Sequence, residues 1–524
     1  MSAKAAVACG HEATADAARE ILADGGNAFD AALAALCAAA VVEPVFCSLG
    51  GGGFMLAGPA GGDPVLYDFF VETPFRRRPA DEIDFYPIHA DFGTATQEFH
   101  IGLGSIATPG VVKGLFAIHE DLATLPVARL VAPAVRLARE GVRLRPIEHY
   151  VFRVVGPILT ARADSRGVYV RPDGDLLHSD DLLHQPDLAD TLEALARDGE
   201  ALFYRGDMAR ALVEASEAGG GQLGAEDLAR YRVERRRPLE RGYRGARILT
   251  NPPPSSGGIL IAFALELLAQ VEVGRMDFGS DAHMALLTRV MALTNQARVE
   301  SRLHEALDEA EESAAAARLL DPGLLARYAA EVQGRPVSTR GTTQISIIDA
   351  RGNVAALSVS NGEGCGYVLA GTGIMLNNML GEEDLNARGF HGWPEGSRMA
   401  SMMAPSLAYL PDGRVAAMGS GGSNRIRTAI LQVLVNLIDF AMTAEAAVSA
   451  PRLHYENRLL NVENGFQGNV AAAVNRLAPG LCDEAVAWPA HNLFFGGVHT
   501  AVRDSDGQPE SGGDPRRGGV GLAV

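Results

Sequence analysis

Hydrophobic positions recur along the 524-residue chain in two rhythms that alternate from end to end. Thr14 to Ala23 repeats at helical spacing and stops at Gly25-Gly26, and Phe29 to Val42 reads as a buried Ala-rich helix cut off at Glu43-Pro44. Phe54 to Leu56 and Val65 to Asp68 read as strands flanking a Gly-rich turn at Gly58 to Gly62. From Val111 to about Ala218 the pattern is mainly helical, with an amphipathic piece at Val127 to Glu140. A helix is predicted again from about Ile259, and helical spacing runs on through Tyr328. The period then changes to two. Gln344 to Asp349 and Val354 to Ser360 flank Ala350-Arg351-Gly352-Asn353, a hairpin signature. A further strand, Arg414 to Met418, leads towards a helix over Thr428 to Phe440. Strands and helices occupy both halves and no repeat of 20 to 50 residues is present, so the pattern predicts α+β layers rather than a string of modules.

The length admits about three ordinary domains or one unusually large one. Hydrophobic residues make up 47% and charged residues 21% of the chain, a globular balance that excludes disorder for most of it. Glycine, at 59 residues, exceeds its usual ~7% share and points to tight turns and close backbone approaches. Lys and Arg number 46 against 64 Asp and Glu, a formal charge of -18. That balance lacks the basic footprint of a nucleic-acid binder and any polybasic membrane patch. The longest apolar run, Ala31 to Val42, is shorter than the ~20 residues that span a bilayer. The opening residues turn polar before an apolar signal segment forms. Cys9, Cys37, Cys47, Cys365 and Cys482 are scattered without a C-x-x-C. The expectation is a cytoplasmic protein with reduced thiols, no metal centre, and no nucleic-acid or membrane partner.

Common catalytic signatures are absent: there is no G-x-S-x-G elbow, no H-E-x-x-H and no G-x-x-x-x-G-K-[ST]. His119-Glu120 and His304-Glu305 lack the second histidine of a zinc pair and read as helix-surface residues. Leu49-Gly50-Gly51-Gly52-Gly53-Phe54 is either an amide cradle for an anion or a turn packed too tightly for a Cβ. Gly341-Thr342-Thr343-Gln344-Ile345-Ser346 places a threonine at the mouth of a strand, after the short polar stretch Arg335 to Thr342. The plain reading is structural, because β-branched residues commonly begin strands. The chemical reading is that chain cleavage frees the threonine's own α-amino group, supplying the general base its weak hydroxyl needs. An α-amino pKa of ~7.7–8 suits that task. Met418-Gly419-Ser420-Gly421-Gly422-Ser423-Asn424-Arg425 lies between strand and helix. It is either a tight turn or a set of backbone amides for a developing oxyanion.

Taken together the motifs resemble those of the γ-glutamyltransferases (γ-glutamyltranspeptidases), members of the N-terminal-nucleophile (Ntn) hydrolases. The resemblance runs nearly the whole length: Gly25 to Ala32, Leu49 to Leu56, Ala107-Thr108-Pro109-Gly110, Tyr243-Arg244-Gly245 and Pro252 to Gly258 in the first part, then Thr342-Thr343 with Ser346 and Asp349, Gly371 to Asn378, Gly419 to Arg425, Ala450-Pro451-Arg452 and Asp514-Pro515-Arg516. It implies a four-layer αββα sandwich built jointly by two subunits of one self-cleaved precursor. The cut would fall at Gly341–Thr342, giving a large subunit 1–341 and a small subunit 342–524. Thr342 would attack an amide carbonyl and form an acyl-enzyme released by water or an acceptor amine. Ser360 would position the nucleophile, and Gly421 and Gly422 would form the oxyanion hole. No metal or organic cofactor is implied, the donor would be a small-molecule γ-glutamyl amide such as glutathione, and there is room for a homodimer.

Substrate recognition is where the sequence departs from the family. Typical members carry an Arg that grips the substrate α-carboxylate; here Asp68-Phe69-Phe70-Val71 puts Phe70 in that place. Phe cannot offer the bidentate fork a carboxylate prefers. Arg76, Arg77 and Arg78 follow closely and read either as a solvated face or as a source of a replacement. The family's Asn after the Ser360 position is displaced by one, with Asn361-Gly362-Glu363-Gly364 in its place. Its Gln becomes Met379, its Asp becomes Glu382, and Glu382 or Glu383 is the candidate holder of a substrate ammonium. Its serine pair becomes Ser401-Met402. The leading reading is a γ-glutamyltransferase-like amide hydrolase. The alternatives are an acylase of glutaryl or other carboxylated amides, and a non-catalytic binding protein that kept the fold.

Overall fold

The computed structural model describes residues 4–91, 96–303, 306, 309–321, 323–325, 328, 342–386, 389–466, 470–477 and 479–524. Two antiparallel sheets form its centre. The first has seven strands in the order Val520–Ala523, Ala6–Cys9, Thr343–Ile348, Val354–Ser360, Gly52–Gly58, Val65–Phe69 and Glu234–Arg236. The second has six, in the order Pro509–Gly512, Gly497–Arg503, Val415–Gly421, Ser406–Tyr409, Ala246–Thr250 and Leu239–Tyr243. The sheets pack face to face, with Thr343–Ile348 against Val415–Gly421 and Gly497–Arg503.

Side-chain alternation along the first sheet shows the layering directly. Phe54 and Leu56 point into the core shared with the second sheet, whereas Met55 and Ala57 point to the helices outside, as the two-residue period of a strand requires. Outside the first sheet lie Glu12–Ala23, Ala28–Val42, Val111–Leu122, Val127–Glu140 and Pro186–Asp198; outside the second lie Ser256–Leu268, Asp281–Glu300 and Arg425–Ile438. The result is the expected αββα sandwich. Both sheets mix strands from before and after position 342, so neither portion of the chain has a complete sheet of its own.

The helix Ala28–Val42 is buried throughout. Asn27 and Asp30 form a capping box at its start, and Pro44 cannot continue it. Its N-terminus is tied to the hairpin turn by Asp349, which accepts from the Ala28 N–H at 3.0 Å while the Arg351 and Asn353 amides close the turn on the same carboxylate. Several boundaries differ from expectation, the most informative being the helix predicted over Thr428 to Phe440, which runs Arg425–Ile438. Its first turn buries Arg425 and Arg427, and apolar spacing cannot register charged residues that are buried because they are hydrogen-bonded. Among the described residues, no helix is long and apolar enough to cross a membrane.

Candidate active site

The hairpin Thr343–Ile348 and Val354–Ser360 sets the first two site residues. Thr343 pairs with Val359, so Thr342 and Ser360 emerge side by side at one end of the sheet. Both line a single cleft, and both are buried, at 4% and 5% exposure. The Ser360 hydroxyl oxygen accepts from the Gly362 N–H at 3.1 Å. Gly341, and with it the bond to Thr342, lies outside the described residues. The Gly50–Gly53 run packs against this end: a Cβ on Gly51 would come within 2.4 Å of the Ser360 carbonyl. Of the two readings of that run, close packing is the one the geometry supports.

Gly421 ends the neighbouring strand of the other sheet and abuts Thr342. A Cβ there would stand 1.9 Å from the Thr342 carbonyl oxygen, so only glycine allows the contact. Gly422 follows with φ +120°, a conformation that favours glycine, and Arg425–Ile438 begins shortly after. The same Thr342 carbonyl accepts from Arg517 Nη1 at 3.1 Å. Arg517 sits at the end of a turn held by a buried ion network. Arg452 pairs with Asp514 at 2.6 Å, and Arg516 bridges Asp514 and Glu463. Burial pushes Asp514 up, yet Arg452 and Arg516 outweigh it and hold the carboxyl near 2. Burial brings Arg517 down to about 10, with Asp514, Glu43 and Glu363 pulling the other way. The Ala450-Pro451-Arg452 and Asp514-Pro515-Arg516 motifs thus meet beside Thr342.

On the far side of the same strand, the Thr343 hydroxyl donates to Glu43 Oε1 at 3.1 Å. Burial raises the Glu43 carboxyl to about 7. Sequence reading gave no hint of Glu43 or Arg517, whose partners lie hundreds of positions away.

The rest of the cleft is lined in part by Phe70, Met379, Glu382, Trp393, Arg398, Ser401 and Met402. Phe70 is buried and stacks on Phe54, ring centroids 5.4 Å apart. The Ser401 hydroxyl oxygen accepts from the Met403 N–H, and Ser256 donates to the Met402 sulfur. Four of the predicted substrate residues therefore come together: Phe70, Glu382, Ser401 and Met402. Three do not line the cleft. Asn361 is fully buried, and neither its amide nitrogen nor its amide oxygen has a partner among the described residues. Glu363 is buried beyond the wall, its N–H donating to Asn378 Oδ1. Glu383 is exposed on a one-turn helix, Glu383–Leu385.

Two arginines that no sequence signal marked, Arg298 and Arg398, line the cleft, and Arg398 is already saturated. It donates five hydrogen bonds: to Glu72 Oε1 from Nε and Nη2, to the Asp68 carboxylate and carbonyl from Nη1, and to the Arg232 carbonyl. A guanidinium has five N–H donors. Arg76 and Arg77 are exposed and Arg78 partly so, and none of the three lines the cleft.

With this fold and site in view, the chain belongs to the gamma-glutamyltranspeptidase family, whose model matches residues 14–524. It is 32% identical to the acylase ACY 1 proenzyme of Pseudomonas sp. (strain SE83), over 89% of this chain and 85% of that one. It is 31% identical to the glutathione hydrolase proenzyme of Pseudomonas aeruginosa, over 99% of this chain and 94% of that one. Among solved structures, cephalosporin acylase from Bacillus halodurans matches with a TM-score of 0.83 at 24% identity, covering 100% of this chain and 96% of that one; at that identity the likeness speaks for the fold. The chain is an enzyme of the amide hydrolase and acyltransferase class, on the Ntn-hydrolase sandwich.

Proposed function

We propose that the chain is a precursor that cleaves itself at Gly341–Thr342 and then transfers acyl groups from amides through Thr342. The observation that carries this reading is the meeting of Thr342 and Ser360 on one cleft, with Gly421 of the other sheet held against the Thr342 carbonyl. The proenzyme names of the relatives agree with it. Cleavage yields a large subunit, 1–341, and a small one, 342–524, and the freed α-amino group becomes the base. It takes the hydroxyl proton as Thr342 Oγ1 attacks the amide carbon, and passes it to the leaving amine nitrogen as the C–N bond breaks. The Gly421 and Gly422 amides receive the oxyanion of the intermediate. The ester left on Thr342 is opened by water, or by an acceptor amine: the α-amino group takes the attacker's proton and returns it to Thr342 Oγ1 as the ester C–O bond breaks. Ser360 orients the nucleophile.

The proposed donor class is γ-glutamyl amides, the substrate type named for the glutathione hydrolase relatives. Phe70 favours a second reading, an acylase for acyl groups without an α-amino-acid head, in keeping with the acylase relatives. The comparison of γ-glutamyl and glutaryl p-nitroanilides separates the two. Faster turnover of the γ-glutamyl anilide upholds the first; equal or greater turnover of the glutaryl anilide counts against it, since that group has no α-amine. Phe70→Arg is expected to raise kcat/KM for the γ-glutamyl anilide by roughly tenfold or more, the effect of one charge-assisted contact. Thr342→Ala is expected to abolish turnover of both.

A further inference from the structure

Trp393 lines the cleft that holds Thr342 and is only 5% exposed. Its indole N–H has no hydrogen-bond partner among the described residues. A buried indole ordinarily finds an acceptor, because a dry donor loses its hydration without compensation. The ring is firmly seated. The Arg77 guanidinium lies 4.9 Å from the ring centroid and also donates to the Trp393 carbonyl, and the next carbonyl, Pro394, accepts from the Thr73 hydroxyl at 2.6 Å. A cation over an aromatic face draws on the ring's electron density, which strengthens the N–H as a donor. The same lining includes Phe70, Met379, Met399 and Met402, so the indole donor shares the cleft wall with apolar side chains, a usual combination in a small-molecule pocket. Arg398 in the same lining has all its donors engaged.

We propose that the Trp393 indole N–H is a specificity-determining donor that binds an oxygen on the acyl chain, and that the enzyme's donors are amides whose acyl group carries such an oxygen beyond the scissile carbonyl. The inference rests on the acyl-transfer reading of the site. A terminal carboxylate and a neutral amide carbonyl offer the same acceptor chemistry, and the test separates them. The kcat and KM of glutaryl, 4-carbamoylbutanoyl and hexanoyl p-nitroanilides are compared for the wild type and Trp393→Phe. Binding of the three free acids is measured by calorimetry alongside. Trp393→Phe is expected to raise KM about 3- to 10-fold for one or both oxygen-bearing donors, leave kcat within about twofold, and change the hexanoyl donor less than about twofold. A selective loss on the carboxylate or on the carbamoyl arm identifies which oxygen is read. An equal loss on all three donors, or no loss on any, overturns the proposal. The free acids keep the two readings apart. Trp393-dependent binding of glutarate or 4-carbamoylbutanoate over hexanoate, without turnover of any anilide, upholds the recognition role and sinks acyl transfer. Turnover with no Trp393-dependent discrimination does the reverse.

Discussion

Glu43 shows how one buried carboxyl next to the cleft makes folding stability depend on pH. It closes the helix Ala28–Val42 and accepts a hydrogen bond from the Thr343 hydroxyl, one position from Thr342. Burial lifts its carboxyl to about 7 from an ordinary 4.5, with Arg145 and Arg517 pulling down and Glu148 pushing up. Between those two values the folded chain holds a proton that the unfolded chain has released. Folding stability therefore falls as pH rises through that window, and above about pH 7 the full penalty, roughly 3 kcal/mol, is present. Glu43→Gln keeps an acceptor for Thr343 and removes the charge. Its thermal midpoint should gain on the wild type steadily between pH 5 and pH 8; a constant offset across that range would contradict the assignment. Phe70 is the opposite case, a residue marked at the level of sequence: the resemblance to a family whose members carry an Arg after an Asp-Phe pair picks out Asp68-Phe69-Phe70. Trp393 and Arg398 were not, because their meaning lies in what surrounds them, an unpaired N–H in one case and five filled donors in the other.

The strand-to-helix passage Val415–Gly421 to Arg425–Ile438 is the element on which the proposed chemistry turns. The helix is anchored by polar side chains along its buried face. Thr428 bonds His454, Arg427 bonds Asn295 and Glu456, and Gln432 donates to the Leu453 carbonyl. Buried groups satisfied in this way fix a geometry, here that of the loop holding Gly421 and Gly422. Gly421→Ala would drive a methyl group into the Thr342 carbonyl. It should lower kcat by at least about 100-fold, the scale of losing an oxyanion donor, while far-UV circular dichroism stays unchanged. Activity within tenfold of the wild type would count against this placement. The hairpin over 343–360 was legible almost to the residue, since alternation and an Arg-Gly-Asn turn are local signals. The first turn of the helix was not, because buried arginines look like solvent-facing ones until their partners are known.

At the scale of the whole molecule, the length left open three domains or one, and the sheets decide for one sandwich. Ala6–Cys9 lies between Val520–Ala523 and Thr343–Ile348, so the first strand of the chain is sealed between two that follow position 342. A cut at Gly341–Thr342 would leave these ladders intact, and the two pieces would stay together until denatured. Thr342 is proposed to become an N-terminal residue and to carry the acyl group. Intact-mass spectrometry of the denatured protein, before and after a brief exposure to the glutaryl or γ-glutamyl anilide, addresses it most directly. Two chains are expected, the smaller beginning at Thr342, and after exposure a single acyl group on that smaller chain, located at Thr342 by fragmentation. A lone 55.2 kDa chain, or an acyl group on any other residue, would contradict it.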